Sequence, residues 1–129
     1  MSDVPRLHPL RVPAGWSVVW NSLYPVEPVP ANAAHFIGST LFSAVHEGAR
    51  CWIDVEWRPE GDVTGHYNLR VEYQPWPRTP AGRRRRGAPL RFDGAAQGVH
   101  RFGTRDLAAL VAELERWLEE CPRRVFEGS

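Results

Sequence analysis

The chain has 129 residues, 43% of them hydrophobic and 24% charged, and a formal charge of +1. That length supports one cooperative core, and the near-neutral charge excludes a field over the whole molecule that would draw it onto nucleic acid or an acidic membrane. All sixteen basic residues are arginine, a usage that reads as genomic base composition more than as sixteen separate needs for a guanidinium fork.

Residues 1 to 14 carry Pro5, Pro9 and Pro13, whose missing amide donors and fixed φ predict an extended arm. The start of the chain has no apolar run of signal-peptide length, and no later stretch approaches about 18 apolar residues in a row, so a cytoplasmic protein is expected. "GWSVVWN" predicts a first strand with Trp16, Val18 and Trp20 on one face, and the proline-rich "YPVEPVPANAAHF" predicts a connecting loop. "GSTLFSAVHE" predicts a second strand and "HEGAR" a turn around Gly48.

"CWIDVEW" and "HYNLRVEY" alternate apolar and polar residues strictly, which predicts two further strands burying Cys51, Ile53, Val55 and Trp57, then Tyr67, Leu69, Val71 and Tyr73. The loop "RPEGDVTG" joins them. "QPWPRTPAGRRRRGAP", with four prolines and four consecutive arginines, predicts a projecting loop over residues 74 to 89. "LRFDG" and "VHRFG" are short enough to be edge strands or irregular packing. A C-terminal helix is predicted over 105 to 121, with Thr104 as N-cap, Asp106 in the first turn and Pro122 as the stop. Its stripe is Leu107, Leu110, Val111, Leu114, Trp117, Leu118 and Cys121. The fold class that follows is α+β: one domain with an antiparallel sheet of about four to six strands packed on one long C-terminal helix.

Chemical motifs are sparse. His46 and Glu47 do not continue into a second histidine at metal-ligand spacing, no pair of cysteines has the spacing of a metal knuckle, and no nucleophile elbow or phosphate-binding loop occurs. No metal and no cofactor are therefore expected. Cys51 and Cys121 are too few for a disulfide framework and read as buried thiols that could be neighbours. Asp54 and Glu56 stand about 7 Å apart on one strand face, a separation that acid and base catalysis can use, and His66 shares that face. The run Arg83 to Arg86 reads as a solvated loop, or as a surface docking to an acidic protein ahead of nucleic acid, since no exposed basic and aromatic platform accompanies it.

The outward face of the predicted hairpin carries Trp52, Asp54, Glu56 and Arg58, with Glu60 and Asp62 in the loop and His66 and Arg70 on the return strand. Trp and Arg lead the residues that anchor protein interfaces, so this mixed aromatic and acidic patch suits a protein surface offering Arg or Lys. Trp76, held between Pro75 and Pro77, is either a lid over the core or a further anchor.

The segments "GWSVVWNSLYPVEP", "IDVEWRPEGDVTGHYNLRVEY", "APLRFDG" and "FGTRDLAALVAELERWLEE" together resemble small tryptophan-rich immunity proteins of bacterial polymorphic and contact-dependent toxin systems. The likeness runs over roughly residues 14 to 120, and the loop "QPWPRTPAGRRRRG" is the part without a counterpart. The resemblance implies a cytoplasmic inhibitor with no reaction of its own. Its partner would be a cognate protein toxin encoded by a neighbouring gene, with no nucleic acid or membrane involved. The competing reading is a small hydrolase or isomerase using Asp54, Glu56 and His66, and a third is a nucleic-acid-associated module using Arg83 to Arg86.

Overall fold

The strict alternation in the two central segments has its physical consequence in the core. Cys51, Ile53, Val55 and Trp57, and opposite them Tyr67, Leu69, Val71 and Tyr73, are all buried, as a period of two demands when one face is covered. The computed structural model describes residues 6 to 124 and residue 126; the first five positions of the expected arm, Pro5 among them, lie outside the described residues. These two strands, β3 (Cys51–Arg58) and β4 (His66–Tyr73), sit at the centre of a five-stranded antiparallel sheet. The others are β1 (Trp16–Asn21), β2 (Thr40–His46) and β5 (Gln97–Thr104), and the spatial order follows the chain, β1 to β5. "VHRFG" is thus part of β5, whereas "LRFDG" takes no regular structure.

One helix, α1 (Leu107–Glu120), closes the inner face with Leu110, Val111, Leu114, Trp117 and Leu118. The architecture is α+β. Trp117 joins helix to sheet: its ring stacks on His100 of β5 at 4.7 Å, and its Nε1 donates to Glu113 at 2.9 Å. Trp16 Nε1 donates to the carbonyl of Leu118 at 2.7 Å, which ties β1 to the end of α1. Cys51 and Cys121 are both buried free thiols. Hydrogen bonding with the Cys51 sulfur, reinforced by burial, pushes the Cys121 thiol well above its ordinary range, so the two are neighbours.

Four expectations need correction. Thr104 does not cap the helix, because it belongs to β5 and pairs with Tyr67. Asp106 is the N-cap and accepts from Ala108 N at 3.1 Å, while Thr104 Oγ1 accepts from Asp106 N at 3.0 Å. The helix ends at Glu120, one residue short, and Cys121–Arg123 tightens into a 3-10 turn that contains Pro122. Trp16, Val18 and Trp20 do not share a face: the β1 register shifts between Val18, opposite Ala44, and Trp20, opposite Ser43, so a bulge turns Trp20 to the other side. Finally, the proline-rich loop contains a 3-10 helix, Pro30–Phe36, that delivers Phe36 into the core, where its ring lies 4.3 Å from that of Trp57.

Among the described residues no helix is long and apolar enough to cross a membrane. Leu114 is fully buried beneath the helix, so Leu114→Ala should lower the unfolding free energy by about 3 kcal/mol in chemical denaturation. Asp106→Ala, which removes the cap, should cost about 1 kcal/mol in the same measurement.

Candidate functional site

Because α1 covers one face only, the opposite face of the sheet must dispose of its own charges. Its side chains stand in rows fixed by the strand register: Ser43, Asp54, Arg70 and Arg101 in one, Val45, Trp52 and Glu72 in the next, Glu56 and Asn68 on the other side. Asp54, in the middle of a row, is only 2% exposed. Desolvation, with the neighbouring Glu56 carboxylate adding to it, raises its pKa to about 7, although Arg70 pulls the other way.

Arg70 is the hub. Its Nη2 lies 3.5 Å from Asp54 Oδ2 and 3.7 Å from Glu56 Oε1, and its Nη1 lies 4.0 Å from Glu72. Asp54 Oδ2 and Arg70 Nε are buried without a hydrogen bond, so the cluster is held by charge more than by aligned donors. Arg58 extends it, reaching Glu56 at 3.3 Å and Glu60 at 3.0 Å. The acidic patch expected from the sequence is therefore largely neutralised from within, and a cleft of about 270 Å³ opens between Glu56, Arg58, Asn68, Arg70 and Arg101.

Trp52 is half-buried. Its Nε1 donates to Ser43 Oγ at 2.7 Å, the Arg70 guanidinium lies 5.3 Å from its ring, and Phe92 leans on it at 5.8 Å between ring centres. With Val19, Ser43, Val45 and Phe92 it lines an apolar groove of about 280 Å³. Beside that groove runs the exposed edge of the sheet: Val18 is 46%, Val19 66% and Trp20 55% exposed.

The remaining expected site residues fall elsewhere. Asp62 closes the β3–β4 loop, where the hydroxyl and amide of Thr64 donate to it at 2.6 and 2.9 Å and hold its carboxyl below the usual range. His66 is exposed and pairs across from Arg58. It stands two same-face rows from Asp54, about 13 Å along the strands, so Asp54, Glu56 and His66 do not converge. Trp76 lies away from the outer-face cluster. It lies half-buried with Tyr73, Pro122 and Phe126 in a separate pocket, with the Arg50 guanidinium 4.2 Å over its ring.

The structure places Trp52, Asp54, Glu56, Arg58 and Arg70 on one sheet face, as the alternation predicts, whereas the exposure of Val18 and Val19, and the position of Val45, Phe92 and Arg101 beside that face, are not expected from the sequence. The one signal for Val18 and Val19 is the unbroken run "SVVW", apolar on both sides of the alternation. Comparison with protein-family models, with curated proteins and with solved structures returns no match for this chain.

The folded chain holds a proton on Asp54 up to about pH 7, whereas an unfolded aspartate releases it near pH 4. The native state thus binds more protons across that window, and this group makes stability fall as pH rises through it. Asp54→Asn should flatten the decline and be at least as stable as the parent at pH 8, read from denaturation midpoints between pH 4 and pH 8.

Proposed function

We propose that this chain neutralises a cognate bacterial toxin by direct protein contact, as immunity proteins do, and that β1 with the adjoining groove forms the centre of that contact. The observation that carries the reading is the apolar surface on the outer side of a sheet edge, Val19 and Trp20 beside Val45, Trp52 and Phe92. Edge strands expose unpaired backbone groups, and soluble proteins ordinarily blunt them with charge, so an apolar edge retained on the surface marks a binding site. Tryptophan is the side chain that most often anchors such contacts. The Arg70 cluster alongside supplies fixed charges that select a register and reject wrong partners.

The resemblance in order and texture to immunity proteins supplies the class of partner. A charge near neutrality favours blocking the toxin by shape over mimicry of nucleic acid, which calls for a strongly acidic surface.

One observation favours a second reading. Burial raises the pKa of Asp54 to about 7 beside Glu56, and Glu56 lines an open cleft; such perturbed carboxyl pairs occur in hydrolases and isomerases. In that case Glu56→Gln would destroy turnover and its pH profile. His66 takes no part in it.

Co-expressed with the product of the neighbouring gene, the chain should elute with it as one complex in size-exclusion chromatography and restore growth where that product alone is lethal. Val19→Asp combined with Trp20→Ala should weaken the complex by about 100-fold and abolish rescue while leaving the thermal midpoint nearly unchanged. Separate elution without rescue rejects the proposal, and a complex indifferent to the two substitutions moves the contact away from β1.

A further inference from the structure

The arginine run takes a defined shape. Residues 77 to 85 fold back as a small hairpin: Thr79 N donates to Arg83 O at 2.8 Å, Arg83 N to Thr79 Oγ1 at 3.1 Å and Arg85 N to Pro77 O at 2.8 Å. Arg78 and Arg84 form an isolated antiparallel bridge, and Gly82, at φ +83°, makes the turn where a side chain would be strained. The backbone thus fixes where the guanidiniums emerge. Arg78, Arg83, Arg84 and Arg86 surround an open concavity of about 360 Å³, and Arg84 also borders the neighbouring pocket with Arg50 and Arg124.

Arg83, Arg85 and Arg86 are exposed, and among the described residues no carboxylate lies within ion-pair distance of them. That contrasts with the outer sheet face, where Arg58 and Arg70 are occupied by Glu56, Glu60, Glu72 and Asp54. In a chain of net charge +1, the hairpin is a local excess of positive charge with acid gathered elsewhere.

We propose that the hairpin carrying Arg83, Arg85 and Arg86 is a second interaction surface, independent of the β1 contact, and that its partner is an acidic segment of another protein. Guanidinium forks match carboxylates in bidentate pairs, and a turn closed by its own backbone hydrogen bonds presents several of them close together. Nucleic acid would also be attracted, but single-stranded binding depends on open aromatic faces beside the basic groups. The aromatic of this loop, Trp76, is held in its pocket under the Arg50 guanidinium. Duplex binding driven by phosphates alone needs a basic field wider than one short hairpin.

The test measures anisotropy of a labelled 20-residue peptide of alternating Asp and Glu against the full chain at low salt, with a labelled 20-nucleotide RNA and a DNA duplex in parallel. The parent should bind the peptide saturably and more tightly than either nucleic acid, with affinity falling as salt rises. Reversal of Arg83, Arg85 and Arg86 to Glu should weaken peptide binding at least about ten-fold and leave the thermal midpoint within about 3 °C. Replacement of the same three by Gln, which removes charge without adding repulsion, should weaken it in the same direction. Reversal of Arg6, Arg11 and Arg123, an equal change in net charge, should leave peptide binding nearly intact. Absence of saturable peptide binding, equal losses in the hairpin and control variants, or tighter binding of RNA or DNA than of the peptide would each overturn the proposal.

Discussion

The structure depends on an asymmetry of cover. Five strands offer two faces, and a single amphipathic helix closes one of them over the central hairpin, burying Trp57, Leu69, Leu114 and Trp117 almost completely. Removing that apolar area from water is the dominant favourable term, and the period of two along β3 and β4 commits every second side chain to it. Every alternate side chain is thereby placed on the face without a helix. The properties of that face follow from what covers the other.

On the uncovered side the chain sets charge against charge. Arg70 reaches three carboxylates and Arg58 two, yet Asp54 is so enclosed that it keeps its proton to about pH 7. A buried carboxyl of this kind reduces stability near neutrality, and residues that persist at such a cost tend to belong to sites that bind or react. The apolar strip on β1 adds a second departure from what a free-standing sheet would choose. These two departures, on β1 and on β3 with β2 between them, fall on the same side of the sheet and support reading them as one contact region. The arginine hairpin follows a different logic: among the described residues Arg83, Arg85 and Arg86 have no carboxylate within ion-pair distance, whereas Arg58 and Arg70 of the sheet are each set against several.

How far the sequence discloses this is uneven, for physical reasons. The alternation of β3 and β4 and the helical stripe are local patterns, and the inward residues of both strands and of the stripe from Leu110 to Cys121 are buried, with Leu107 at the helix start only half-buried. Direction was legible for Asp54, but its enclosure was not, because that depends on Ser43 and Arg70 from the strands on either side. The turn of Trp20 to the outer face comes from a bulge that only the pairing with β2 creates. Thr104 looked like a cap because its type suits one, and the claim of β5 on it passed the role to Asp106. At the "HEGAR" turn the left-handed residue is Arg50, at φ 56°, whose guanidinium bonds the carbonyl of Gln74 at 2.9 Å. A contact between segments so far apart leaves no trace in local composition.

The central claim is that the partner sits on the face α1 leaves open, centred on β1. Hydrogen–deuterium exchange of the chain alone and in complex with the product of the neighbouring gene tests it most directly. The account predicts new protection in Trp16–Asn21 and along the segments bearing Val45, Trp52 and Phe92, with α1 unchanged. Protection confined to α1, with β1 exchanging as in the free chain, would contradict it.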